Sequence, residues 1–118
     1  MDAKTLEALE GSIKKWELIL AGEGRDEGYR NCPLCQLFNT PELNESRTGP
    51  ACEGCPVKDE TGRGGCRDTP YEKWDELCAK LRTNRIDPAT TPVFRRELEK
   101  HAMAELDFLK ELLSKEAT

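Results

Sequence analysis

Cys32-Pro33-Leu34-Cys35, sixteen further residues, Cys52-Glu53-Gly54-Cys55-Pro56 and then Cys66 form the stretch on which the chain is organised. A Cys-x-x-Cys turn delivers two thiolates to one ion, and two such turns at this separation make a four-thiolate site, for which zinc is the first expectation. The preferred quartet is Cys32, Cys35, Cys52 and Cys55. The alternative quartet, Cys32, Cys35, Cys55 and Cys66, lets Cys66 replace Cys52. A four-thiolate cage also holds iron or an iron–sulfur cluster, the competing cofactor. Gly54 leaves room for backbone N–H groups to point at sulfur in the second turn, where the first has Gln36 at the permissive position.

The residues around these cysteines explain why a metal is expected. Between about 22 and 68 the helical period fails, and prolines and glycines are frequent. The large apolar side chains there are few: Tyr29, Leu34, Leu37, Phe38, Leu43 and Val57. That inventory cannot offset the roughly 1–2 kcal/mol per residue lost on fixing a backbone. A metal cross-link can. Arg30, Arg47, Lys58, Arg63 and Arg67 lie near the cysteines and would offset the surplus charge of four thiolates.

Outward from this lobe, both flanks read as helix. On the N-terminal side, from about 5 to 21, Leu6, Leu9, Ile13, Trp16 and Leu20 recur at steps of three and four and share one face. Gly22-Glu23-Gly24 supplies the left-handed stop. On the C-terminal side, Thr69-Pro70-Tyr71-Glu72 opens a second helix with a cap, a proline at the first position and a capping box. Tyr71, Trp74, Leu77, Cys78 and Leu81 form its stripe. Thr91-Pro92 opens a third, with Phe94, Leu98, Ala102, Leu106, Leu109 and Leu113 inward and Glu111 to Lys115 as an i,i+4 pair. The fold expected is mainly α: three helices, with an irregular zinc-bound cysteine lobe between the first and second. Residues 1–118 are read as a single domain, with the helices at about 5–21 and 69–116 and the lobe at about 22–68.

Composition narrows the function. Of 118 residues, 35% are charged and 36% apolar, and the net charge of −5 is spread along the chain. No basic stripe appears, which counts against nucleic acid, since phosphate affinity comes from clustered Lys and Arg. No run nears the roughly 18 apolar residues of a membrane helix, so no membrane partner is expected. The acidic start, Asp2 and Glu7, does not read as a signal peptide. A cytoplasmic location with reduced thiols follows as the expectation, against a disulfide framework.

Other features carry less. Zinc deaminases need a His-x-Glu before their Cys-x-x-Cys, and the single histidine, His101, lies far downstream as an edge residue of the third helix. A thioredoxin-like role for Cys32 and Cys35 requires a βαβ context and a helix N-terminus, neither evident. Thr61-Gly62-Arg63-Gly64-Gly65 lacks the ending of a phosphate loop. Cys78, four residues after Trp74 on an apolar stripe, reads as a small buried hydrophobe.

The pattern Cys32-x-Leu34-Cys35, Cys52-x-Gly54-Cys55-Pro56-Val57, Thr61-Gly62, Cys66 and Thr69-Pro70-Tyr71 resembles a family of small cysteine-rich hypothetical proteins of bacteriophages and prophages. The resemblance covers about residues 31–74 and the flanking helices. It carries no activity. It implies an accessory or early protein in the cytoplasm of a bacterial host, and it brings Cys66 closer to the metal set. With all four metal positions filled by sulfur, the site is structural and the chain is expected not to be an enzyme. The function expected is a protein-interaction module that modulates a host or phage protein, with a homodimer through the third helix as a further partnership. The alternatives are a nucleic-acid-binding zinc module using Arg25, Arg30, Arg47, Lys58, Arg63 and Arg67, and a redox or metal-sensing protein with Cys66 as its reactive thiol.

Overall fold

The computed structural model describes residues 2–38, 55–61 and 69–116. Three long helices and two short ones account for most of them. Helix α1 spans Ala3–Leu20. Its first turn is capped by Asp2, whose Oδ1 accepts the Thr5 N–H at 2.7 Å, so it starts two residues earlier than the stripe alone suggests. Its end is the expected stop: Gly22 has a φ of 78°. The Glu23 N–H reaches the Leu18 carbonyl at 2.9 Å and that of Gly22 reaches Ile19 at 3.1 Å, the paired closure of a Schellman motif.

Where an irregular lobe is expected, the described part is helical in pieces. A 3-10 turn covers Gly28–Asn31, and helix α2 covers Pro33–Phe38. Helix α3 covers Pro56–Thr61. Both short helices begin with a proline straight after a cysteine, and a proline's fixed φ suits the first helical position. Periodicity cannot reveal helices this short, because six residues hold less than two turns.

Helix α4 spans Pro70–Thr83 and α5 spans Pro92–Glu116. At about 1.5 Å per residue α5 is roughly 37 Å long, and it is the backbone of the assembly, packing on both α1 and α4. The core joins Leu9, Ile13 and Trp16 of α1 to Trp74 of α4 and to Ala102, Leu106, Leu109 and Leu112 of α5. Trp16, 3% exposed, is core as expected. It meets Trp74 edge-on at 5.2 Å and Tyr71 at 5.9 Å, geometries that favour aromatic quadrupoles.

Leu34 and Val57, each 3% exposed, insert into this same core from α2 and α3. The described part of the lobe is therefore anchored to the core by one apolar side chain beside each of the two cysteines Cys35 and Cys55. Lys115 also reaches beyond its own helix: its Nζ lies 2.6 Å from Glu60 Oε1 of α3, so the end of α5 pairs across to the lobe. The described residues are mainly helical, as expected.

Candidate metal centre

Cys32 sits immediately before α2 and Cys35 within it, both half-buried; Cys55 sits immediately before α3 and is buried. Cys52 and Cys66 lie outside the described residues. Among the described residues no three potential ligands converge on one point. Cys32, Cys35 and Cys55, which both expected quartets share, are all described and are not brought into one such group; the remaining member of each quartet lies outside those residues.

The first cysteine turn has a definite form. The Cys35 N–H donates to Cys32 Sγ at 3.3 Å, and the Gln36 N–H donates to the Cys32 carbonyl at 3.0 Å. Cys32 thus caps α2 with its sulfur, accepting a donor that a short helix would leave open. The Gln36 side chain, with no glycine freedom to offer, turns outward and donates to the Arg30 carbonyl at 2.9 Å. The helix N-terminus that is not evident in the sequence at the first Cys-x-x-Cys is present in the structure, where Pro33 starts α2.

These contacts hold the Cys32 thiol down at about 6. The hydrogen bond with the Cys35 side chain lowers it most, against burial, and the Cys35 N–H, the Lys15 charge and the Ser12 hydroxyl add to it. A thiolate is the ligating form of cysteine and also its nucleophilic form. Cys78 is the opposite case. Burial and the nearby Asp26 push its thiol up to about 11, which suits the small hydrophobe read from the sequence. Cys32 and Cys78 are both free thiols.

Beneath Cys32 lies a buried polar cluster. Lys15 Nζ is 2.8 Å from Asp26 Oδ1, with each side chain only 9% exposed, and stands 5.3 Å above the Trp16 ring. Asp26 Oδ2 accepts from Tyr71 Oη and from Trp74 Nε1, both at 3.1 Å. Glu105, 3% exposed, accepts the Tyr71 N–H at 2.9 Å. Burial pushes the Glu105 carboxyl up to about 7, and the negative charges of Cys32 and Asp26 push the same way.

Sequence reading missed Ser12, Lys15, Asp26 and Glu105. Ser12 and Glu105 carried a signal, being polar residues three steps after Leu9 and Ala102 on apolar stripes. Lys15 and Asp26 carried none, because their pairing depends on how the chain turns back after Gly22. His101 is the edge residue expected, with Nε2 3.9 Å from Glu97. Of the basic residues set aside for nucleic acid, Arg25 and Arg30 are exposed, while Arg47, Arg63 and Arg67 lie outside the described residues.

The first turn offers two of the four ligands that a metal–thiolate centre needs, the Cys32 thiol and Cys35 one helical turn on. No helix among the described residues is long and apolar enough to cross a membrane. No family model, curated protein or solved structure matches the chain.

Proposed function

We propose that this chain is a metal-stapled interaction module, in which a structural zinc held by cysteine thiolates fastens the central lobe to the helical core. Cys32 and Cys35, which share one turn, would supply two ligands, and Cys55 with Cys52 or Cys66 would complete the set on metal binding. The observation that carries this reading is the Cys35 N–H on Cys32 Sγ, with the thiol lowered to about 6. That turn presents sulfur already deprotonated and oriented at neutral pH. The cation would add the cross-link that Leu34 and Val57 alone supply weakly. A site closed by four sulfurs leaves no position for substrate, so the chain acts by binding a host or phage protein in a bacterial cytoplasm.

Elemental analysis of protein purified without added metal tests the centre. One zinc per chain and no visible colour is the expected result; brown or red protein would assign the site to iron. Replacing Cys52 and Cys66 separately by serine then identifies the fourth ligand, since only the true ligand's loss abolishes tight binding. A stoichiometric protein recovered on the metal-loaded chain, and absent with the chelated chain, tests the partner.

One observation favours a second reading. A depressed Cys32 thiol at the start of α2, with Cys35 one turn on, is also the arrangement of a dithiol that exchanges with a small disulfide. Metal-free protein treated with oxidised glutathione separates the two: a Cys32–Cys35 disulfide formed reversibly, in a chain that purifies without metal, supports redox function.

A further inference from the structure

We propose that the turn joining α4 to α5 is the surface on which the partner protein docks, and that it takes an acidic segment bearing an apolar side chain. The inference rests on the interaction-module reading above and names the chemistry of its partner. The start of α4 lies beside Glu105 of α5 and the two helices pack on each other. The short connection 84–91 therefore brings the end of α4 and the start of α5 to the same end of the molecule. Residues 80–100 carry six Lys or Arg against three acids, a net charge of +3 in a chain of −5. Lys80, Arg82, Arg85, Arg95, Arg96 and Lys100 are all exposed, and none forms an ion pair with another described residue. Asp87 does not neutralise them, since its Oδ1 accepts the Ala89 N–H at 2.9 Å.

Helix stability does not account for these cations. Lys80 and Arg82 suit the negative end of α4. Arg85 and Arg95 have no such reason. Arg85 has a φ of 54°, in the left-handed region that favours glycine. It sits in a Schellman closure, with the Ile86 N–H on the Leu81 carbonyl at 2.9 Å and its own N–H on that of Arg82 at 3.1 Å. The same closure at the end of α1 uses Gly22. Arg95 ends the first turn of α5, near the positive end of its dipole, where a carboxylate is favoured and none is present. Two guanidinium groups thus stand where the fold would gain by losing them, a pattern that goes with binding. Beside them Val93 is 64% exposed. A guanidinium grips a carboxylate through two parallel N–H bonds, and arginines around an apolar centre are a common make-up of protein interfaces. Nucleic acid fits less well. No aromatic ring is among the exposed large apolar side chains described, so bases would have nothing to stack on.

The test uses the full chain as purified, as wild type, as Arg85→Gly and as the double variant Arg95→Glu with Arg96→Glu. Both changes relieve a local conflict, so both variants should melt no lower than wild type. The probe is a fluorescein-labelled peptide of Asp and Glu with a central Leu, followed by anisotropy at low salt. Its affinity should fall about threefold with Arg85→Gly and at least about tenfold with the double variant. Affinities of both variants within about twofold of wild type, whatever their melting temperatures, would make these arginines structural and overturn the proposal. No binding by wild type would overturn it as well. A DNA duplex of about 20 base pairs bound more tightly than the peptide would overturn it in favour of nucleic acid. The protein recovered from lysate on the metal-loaded chain separates this inference from the reading beneath it. If the double variant retains that protein, the surface falls and the module stands; if wild type recovers none, both fall.

Discussion

Glu105 on α5 accepts the backbone N–H of Tyr71 on α4 at 2.9 Å, across 34 residues of sequence. The sequence assigns the opening of α4 to Thr69 and Glu72. In the folded chain the Glu72 N–H goes to the Thr69 carbonyl at 3.1 Å, and a carboxyl from another helix serves Tyr71. One capping contact of α4 is thus tertiary, and it ties helix formation to assembly.

Glu105 makes stability depend on pH. Its carboxyl rises from 4.5 to about 7 on folding, so the folded state holds a proton that the unfolded state has released. The contribution is fully present below the unfolded value and is lost as pH rises through the folded one, a loss on the order of 3 kcal/mol. Cys32, lowered from 9.0 to about 6, acts in the opposite sense, its contribution vanishing as pH falls through 6. The difference between wild type and Glu105→Gln isolates the carboxyl. In urea titrations of metal-free protein, that difference should shift steadily against the wild type between about pH 4.5 and 7.

The Cys32 and Cys78 thiols should separate chemically. At pH 7 Cys32 is mostly thiolate, whereas Cys78, near 11, is almost all thiol. Iodoacetamide on metal-free protein should therefore label Cys32 at least about tenfold faster, even after allowing for the lower nucleophilicity of a low-pKa thiolate. Zinc should protect Cys32 and leave Cys78 unchanged. Peptide mass mapping over a time course reads both.

Asp26 holds Lys15, Tyr71 and Trp74 at once. Asp26→Asn keeps an acceptor for the two aromatic donors but strands the Lys15 ammonium in a site 9% exposed. Losing one partner of a buried pair costs about 3–5 kcal/mol. The double variant Lys15→Met with Asp26→Asn should recover a large part of that loss. Equal destabilisation of single and double variants in chemical denaturation would show the pair to be unimportant.

Gly11 fixes the spacing between α1 and the first cysteine turn. Alanine elsewhere in a helix would gain up to about 1 kcal/mol over glycine, but at this position its Cβ meets Pro33 at 3.0 Å. Gly11→Val adds two more methyl-sized groups against the ring and should cost about 1–3 kcal/mol by overpacking. It should also weaken zinc binding, because α2 must retreat from α1. A variant as stable and as metal-avid as wild type would mean that the close approach is incidental.

Much of the helical frame is legible in the residues. Trp16, Trp74 and Leu106 lie where their stripes put them, because a 3.6-residue period and a single buried side leave one face to fill. Gly22 ends α1 as read, since the left-handed turn needs a residue without a side chain. The lobe is less legible. Leu34 and Val57 are inconspicuous in a stretch poor in apolar residues, yet both are core. Nothing in a six-residue segment tells which of its side chains will find a cavity in a distant helix pair. Of the cysteine quartet, Cys32 and Cys35 share one turn, Cys55 is described but not gathered with them into a group of three ligands, and Cys52 and Cys66 lie outside the described residues.

The sequence by itself determined three long helices, their inward faces and a thiol-rich middle, because those follow from local periods and ligand spacing. Only the tertiary structure decided that Ser12 and Glu105 would be buried and that Lys15 would pair with Asp26. Whether a polar group is hidden depends on what returns to cover it. That is a property of helices meeting across long separations, which no local pattern encodes.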